Sequence, residues 1–225
     1  MGHFWEIQLF GLDVHFSTLI MVWAAMAVLL GFAFLSTRQL SVVPGHTQTV
    51  GELFYDFCRS ITFSTAGARG DGYLFFIGSL FLFILTANLM GQLPLKLIHI
   101  PQGELVAGTA DFSTTLALAL LSVIMYFAIG LSRKGLSYFK HYFQPFWWML
   151  PLNMLEDITR PMSLSMRLYF NLLVGEILSM LTLKILPVGL PCAVIAFELL
   201  VALIQAYVFA LLSAVYISLV ADEHH

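Results

Sequence analysis

Long apolar stretches separated by short polar segments dominate the pattern along this chain. Three stretches carry no charged side chain, and they occupy residues 16–35, 73–95 and 112–132. A helix needs ~20 predominantly apolar residues to cross the hydrocarbon core of a bilayer. Two further stretches, 152–186 and 192–219, are long enough but contain charged or amide side chains. The pattern therefore predicts an all-α integral membrane protein with about five transmembrane helices.

The segment after the first stretch has the periodicity of an amphipathic helix. Its apolar residues recur at the spacing of one helical face, and they are Val50, Leu53, Phe54, Phe57 and Ile61. The opposite face carries Glu52, Asp56 and Arg59. A helix of this kind is better suited to lie in the membrane interface than to cross the bilayer. We therefore expect an interfacial helix at about 50–68, and a second interfacial stretch, rich in aromatic residues, at 138–150.

Composition agrees with lipid as the solvent of this chain. The residues are 60% hydrophobic and 10% charged, whereas a soluble domain carries about 25% charged residues. A net charge of −3 without a basic block gives no sign of nucleic-acid binding. Cys58 and Cys192 lie far apart and without metal-ligand spacing, so we expect no metal and no cofactor. We read residues 1–225 as a single membrane domain.

Basic residues predict the orientation of the chain in the membrane. The N-terminus lacks the basic region and cleavage site of a signal peptide, so we expect the first span to be retained. With an external N-terminus and five spans, the internal segments hold Arg38, Arg59, Arg69, Arg133, Lys134 and Lys140. The external side then holds Lys96 and Lys184. Because cytoplasmic loops are enriched in Lys and Arg, this asymmetry favours a cytoplasmic C-terminus.

Arg167 is the least expected residue in the chain. It lies 15 residues after the start and 19 residues before the end of the fourth span, near the middle of the membrane. A charge at that depth costs ~2.5–3.5 kcal/mol on insertion scales. A guanidinium stays protonated throughout the accessible pH range, so the cost cannot be avoided by deprotonation. A functional role is therefore favoured over a structural polar contact between helices.

The last two spans form a predicted antiparallel hairpin. Residues 186–191, LPVGLP, end one helix and begin the next. Residues that face each other across such a turn are equidistant from it. The midpoint in sequence between Arg167 and Gln205 is residue 186, and the midpoint between Glu176 and Glu198 is residue 187. Both pairs are therefore expected to be level across the hairpin.

This arrangement predicts a polar stripe through the bilayer. Asn171 lies four residues after Arg167 and shares its helical face. Two neighbouring carboxylates in a low dielectric, Glu176 and Glu198, are plausible proton carriers because such a pair resists full ionisation. The alternative is a polar network that only ties the two helices together.

Charged residues near the ends of the spans can be explained either by a place on an ion pathway or by an ordinary structural role. Asp111 precedes the third span, where it can cap the helix or also line an external vestibule. Glu156, Asp157 and Arg160 lie near the predicted cytoplasmic end of the fourth span. These three residues either line a cytoplasmic opening or form an ordinary solvated cluster.

Several sequence motifs in this chain resemble those of a known family. Residues 160–176, RPMSLSMRLYFNLLVGE, closely resemble the signature RPxSLxxRLFGNxxAGE of subunit a in F-type ATP synthases. Residues 88–94 resemble NLLGxxP, residues 109–120 resemble TADxxxTLALAL, and residues 204–209 resemble the family's last helix. The resemblance runs from about residue 73 to the C-terminus and is closest to the cyanobacterial and chloroplast branch. One departure is Phe170, where the motif usually has Gly.

The resemblance implies roles for the matched positions. Arg167 is implied to face a carboxylate on each passing subunit of the c-ring, with Gln205 as its partner. The half-channel from the outer face is implied to contain Asn171, Glu176, Glu198 and Asp111, and the half-channel to the cytoplasm Glu156. The implied partners are the c-ring and the b subunits of the peripheral stalk. The implied ion is H⁺, with Na⁺ as the alternative.

The resemblance also implies a non-catalytic subunit, one that couples proton flow to ATP synthesis carried out elsewhere. Its membrane would be the bacterial plasma membrane, with the thylakoid membrane as the alternative. A secondary transporter with a polar midplane site is the main rival, but such folds often have internal repeats, which this sequence lacks. A purely structural membrane subunit is the third reading, and mid-span Arg167 argues against it.

Overall fold

A computed structural model of the chain describes residues 6–9, 12–38, 40–42, 44–92, 108–135, 148, 150–185 and 189–222. The α-helices in these ranges are α1 (Phe16–Thr37), α2 (His46–Ala66), α3 (Leu74–Gln92), α4 (Phe112–Lys134), α5 (Leu150–Ile185) and α6 (Leu190–Asp222). Short 3₁₀ helices at Gly67–Gly72 and Gly108–Ala110 precede α3 and α4. The predicted all-α architecture is confirmed, apart from one short two-stranded hairpin before α1.

Five of the described helices are long and apolar enough to cross a membrane. They are α1, α3, α4, α5 and α6, and their apolar parts are Ser17–Thr37, Leu74–Gln92, Phe112–Ser132, Asp157–Ile185 and Leu190–Leu219. The number of spans agrees with the sequence prediction. The helix α2 is not among the five, as its amphipathic pattern predicts.

A short antiparallel hairpin before α1 was not predicted. Strand β1 (Glu6–Leu9) pairs with strand β2 (Leu12–His15), and Ile7 lies opposite Val14. Polar and apolar residues alternate in both strands, as a two-faced ribbon requires. Four-residue strands give too short a pattern to stand out beside the long apolar runs that follow.

The helix α6 lies at the centre of the bundle, since α2, α3, α4 and α5 all pack against it. Its packed face consists largely of small residues, and Ala202, Ala206, Ala210 and Ser213 are at most 1% exposed. Small side chains let helix backbones approach closely, which is the main source of association energy between helices in lipid. Larger side chains, such as Phe81 of α3 and Phe209 of α6, belong to the same hydrophobic core.

The face of α2 that contacts the bundle includes only part of its apolar positions. The buried residues on α2 are Gln48, Cys58, Ile61 and Thr62, whereas Leu53 is 68% exposed. Of the five predicted apolar positions, only Ile61 is fully buried. The reason is that the spacing finds apolar side chains but does not separate those that meet protein from those left at the surface of the chain.

Several predicted features lie outside the described residues. These are most of the aromatic stretch at 138–150, the turn residues 186–188, and the external loop that contains Lys96. Gly189, just after the turn, has φ +91°, a conformation that favours glycine and helps the chain reverse direction before α6.

Candidate functional site

Arg167 lies at the middle of α5 and points away from the packed face of that helix. The buried positions on α5 recur every three or four residues, and they are Pro161, Leu164, Ser165, Leu168, Leu172, Gly175 and Thr182. Arg167 is one residue out of phase with this set and is exposed. Within the described residues, Arg167 makes no hydrogen bond or ion pair. A permanent cation is thus presented at the surface of a membrane-spanning helix.

Asn171 and Gln205 differ from Arg167 in their burial. Asn171, one turn after Arg167, is half-buried. Gln205 is 7% exposed on α6, inside the bundle. No described residue forms a hydrogen bond with Gln205, so its pairing with Arg167 stays a prediction.

Glu198 is the most buried carboxylate in the part of the chain that the structure describes. It is 7% exposed and lies on α6 against the facing surface of α5. The hydroxyl of Ser179 donates a hydrogen bond to Glu198 Oε1 over 3.0 Å. A Cβ atom placed on Gly175 would lie 3.2 Å from the same oxygen. These contacts place Glu198 of α6 beside residues 175–179 of α5, where the predicted hairpin expects it.

Glu176 lies at the level of Glu198, as the sequence predicted, and is half-buried. Its neighbours Gly175 and Ser179 provide the described contacts to Glu198. The sequence analysis did not identify either neighbour. The sequence did contain a signal for Ser179. The midpoint in sequence between Ser179 and Glu198 lies near residue 188, within the predicted turn.

Asp111 is the N-cap of α4. Its Oδ1 accepts a hydrogen bond from the Ser113 backbone N–H at 3.0 Å, and the residue is half-buried. The capping role is therefore confirmed. Just before it, the hydroxyl of Thr109 donates to Oδ1 of Asn88 on α3 at 3.0 Å, and both residues are fully buried. This bond fixes the start of α4 against α3.

Glu156 belongs to α5, but its side chain lies outside the described set. The next residues form a packed cluster that joins three helices. Asp157 and Arg160 on α5 form an ion pair of 3.7 Å, with side chains 15% and 19% exposed. The guanidinium of Arg160 lies 4.8 Å from the ring centre of Tyr216 on α6 and 5.7 Å from that of Tyr126 on α4. Asp157 and Arg160 are thus largely packed against other helices, with part of each side chain still exposed.

A small polar cavity adjoins this cluster. The hydroxyls of Ser122 on α4 and Ser213 on α6 lie 3.1 Å apart at its wall, and the hydroxyl of Tyr126 reaches Asp157 Oδ1 at 3.5 Å. The cavity measures about 10 Å³, which is enough for one water molecule. Tyrosine and serine are common in transmembrane helices, so their sequence positions alone gave no signal for this cluster.

The two polar sites lie on opposite sides of Arg167 along α5. At 1.5 Å per residue, Arg160 lies ~10 Å before Arg167, and Ser179 lies ~18 Å after it. Polar and charged groups are therefore arranged toward each end of the span, with the exposed cation between them. Among the described residues, no group of three or more His, Cys, Asp or Glu side chains could hold a metal ion.

Comparison with known protein families agrees with this arrangement. The sequence matches the family described as ATP synthase A chain over residues 19–218, from within α1 to near the end of α6. The matched range includes Arg167, Gln205 and both carboxylates of the hairpin. The chain belongs to the ATP synthase A chain family, the proton-translocating, non-catalytic membrane subunit of the Fo sector.

Proposed function

We propose that this chain forms two offset half-channels that carry protons to and from the c-ring, with Arg167 as the barrier between them. The observation that carries the proposal is the exposed cation itself. Arg167 is 17 residues from Leu150 and 18 residues from Ile185, and no described side chain neutralises it. A charge so placed requires an opposite charge from outside the chain. A carboxylate on the passing c-ring subunit meets that requirement.

The outer half-channel is assigned to the end of the hairpin that holds the two glutamates. Protons pass Asp111, enter between α5 and α6 at Glu176 and Glu198, and reach the ring carboxylate near Asn171 and Gln205. The buried position of Glu198 supports this assignment, since it places a group that can hold a proton inside the bundle and away from lipid. Once neutralised, the ring site can rotate into lipid because its charge penalty has gone.

The inner half-channel is assigned to the opposite end of α5. After nearly a full turn, the ring carboxylate meets Arg167 again, and the cation favours loss of its proton. The proton leaves past Glu156, next to the cluster of Asp157 and Arg160. Each charge that falls through 100 mV releases ~2.3 kcal/mol, so several protons are needed for each ATP.

Further parts of the proposal concern ion, partners and membrane. We take the ion to be H⁺ and the second partner to be the b subunits of the peripheral stalk. The chain would lie in a bacterial plasma membrane with its N-terminus outside, and α2 would lie along the cytoplasmic interface. ATP synthesis that does not depend on Na⁺ would support the choice of ion, and dependence on Na⁺ would overturn it.

Substitution of Arg167 tests the central assignment, because the guanidinium is proposed both to attract the ring carboxylate and to block direct proton passage between the half-channels. In Arg167→Ala the attraction for the ring carboxylate and the barrier between half-channels are both lost. We expect ATP-driven pumping to be abolished, with passive proton leakage retained or increased. Arg167→Lys keeps a cation but loses the planar guanidinium and its weak hydration, so it should also abolish coupled synthesis while leaving some barrier to leakage.

The matched control is Lys184→Ala, which removes an exposed cation from the last turn of the same helix. ATP-driven proton pumping and passive proton leakage are both measured in membrane vesicles that contain the whole complex, by fluorescence quenching of a pH-sensitive dye. The control should pump normally. Coupled ATP synthesis by the Arg167→Ala complex would contradict the proposal and return this residue to a structural role.

A further inference from the structure

We propose that Ser179 and Gly175 form a niche on α5 that positions the Glu198 carboxylate for proton exchange. The inference rests on the proposed function, in which Glu198 carries protons in the outer half-channel. It adds a positioning hydroxyl and a required glycine to that half-channel.

The first support is the way Glu198 is held. Its carboxylate is buried, and among the described residues its only hydrogen-bond donor is the Ser179 hydroxyl, at 3.0 Å from Oε1. A buried carboxyl group without a donor would lose free energy relative to its hydrated state. Because Ser179 occupies Oε1, Oε2 is the oxygen that remains to take up and release the proton.

A hydroxyl suits a group that changes its protonation state. It can donate to the ionised carboxylate and equally to the carbonyl oxygen of the protonated acid. The contact therefore persists through the proton cycle, and the carboxyl group keeps its place. A Lys or Arg partner would instead hold Glu198 in its ionised form.

The direction of the Ser179 hydroxyl is unlike that of the neighbouring hydroxyls on α5. Ser165 donates to the Met162 carbonyl at 3.0 Å, and Thr182 donates to the Leu178 carbonyl at 2.9 Å. Such bonds to the preceding turn are the usual arrangement for Ser and Thr in a helix. Ser179 gives up that local bond and crosses to α6, which marks its contact as one between helices.

Gly175 supplies the space beside the carboxylate. A Cβ atom at this position would lie 3.2 Å from Glu198 Oε1 and 3.3 Å from Cδ. The nearest atoms belong to the far end of a flexible side chain, so Gly175→Ala should displace the carboxyl group without separating the helices. The displacement would weaken the bond to Ser179, and both substitutions should therefore give the same defect.

The test is ATP-driven proton pumping by the whole complex in membrane vesicles. We expect Ser179→Ala to slow pumping roughly three- to tenfold, the range that corresponds to loss of one hydrogen bond. Gly175→Ala should slow pumping similarly, and Ser179→Thr should restore most of the rate because it keeps the hydroxyl. Ser165→Ala is the control, since its hydroxyl bonds only within its own helix. Pull-down of the c-ring with each variant checks assembly.

A second background separates proton chemistry from packing. Gln in place of Glu198 can still accept the Ser179 bond but cannot carry a proton. If Ser179 acts through the carboxyl group, Ser179→Ala should slow pumping in the wild-type background and have no further effect in Glu198→Gln. Equal slowing in both backgrounds, or a normal rate for Ser179→Ala beside a slow Glu198→Gln, would overturn the inference alone. Wild-type pumping by Glu198→Gln would overturn both the inference and the proposed role of Glu198.

Discussion

Charged residues at membrane depth in this chain occupy two different environments. Arg167 is exposed on α5, where the proposed function places a partner chain. Glu198 is buried between α5 and α6, where a hydroxyl of the same chain holds it. The permanent charge thus lies at the surface of the chain, and the group that can change its charge lies inside. This division is what a fixed barrier and a proton relay each require.

The two glutamates of the hairpin are expected to act as one exchanging unit. Glu176→Gln and Glu198→Gln should each slow proton flux several-fold, because each removes a group that can hold the proton. The double variant should be slowed less than the product of the two single effects, since residues that share one function are not additive. Proton flux through the membrane sector in vesicles is the measurement. Normal flux in the double variant would exclude both residues from the pathway.

The sequence identified some residues of the site and missed others for a physical reason. A charge within an apolar run is costly, so Arg167, Glu176 and Glu198 stood out without any structure. Ser179 and Gly175 are inexpensive in a transmembrane helix and have many structural uses. Only their contacts with Glu198 distinguish them, and those contacts depend on the rotation of two helices about their axes.

At the scale of whole helices, length and composition predicted the spans, whereas the faces that pack against protein could not be read from the sequence. The five spans were predicted because crossing a bilayer requires a fixed length of apolar residues. The inner face of α2 was not predicted, since protein and lipid both accept apolar side chains. Ile61 enters the core, while Leu53 stays exposed. The distinction depends on neighbours from α3 and α6, which a local pattern does not contain.

The helix α2 offers a test of interfacial placement by cysteine labelling. Cysteines at positions 52, 56 and 59, all exposed, should react with a membrane-impermeant maleimide added from the cytoplasmic side. Arg59 lies 3.9 Å from Asp71, but both side chains are more than half exposed, so the loss of this pair should change stability little. Reaction only from the outside would reverse the proposed orientation.

The native cysteines provide the background for that experiment. Burial raises the pKa of the Cys58 thiol to about 11, and the residue is 4% exposed, so it should stay unreactive near neutral pH. Because thiolate forms only as the pH approaches this raised pKa, neutral buffer suppresses the background. Cys192 is exposed and is replaced by Ser. The matched negative control is Ile61→Cys, on the same helix but 2% exposed, which should label only after denaturation.

For the molecule as a whole, the five candidate spans in the described residues fit a topology with the two termini on opposite sides of the membrane. In the proposed orientation, α1 ends on the cytoplasmic side next to Arg38, and α4 ends there next to Arg133 and Lys134. The hairpin turn between α5 and α6 then lies outside, together with Asp111. The orientation and the assignment of the half-channels therefore depend on each other, because the Glu198 niche must open to the side from which protons enter.

The last prediction tests this dependence with short epitope tags at the two ends of the chain. A tag at the C-terminus should be cleaved by protease in inverted vesicles and protected in right-side-out vesicles, and a tag at the N-terminus should behave in the opposite way. The physical reason is the excess of Lys and Arg in the segments assigned to the cytoplasm, six residues against two outside. A tag placed on a second membrane protein of known orientation controls for vesicle sidedness. If the C-terminal tag were cleaved only from outside, the Glu198 niche would open to the cytoplasm. The two half-channels would then exchange roles, while Arg167 would still lie between them.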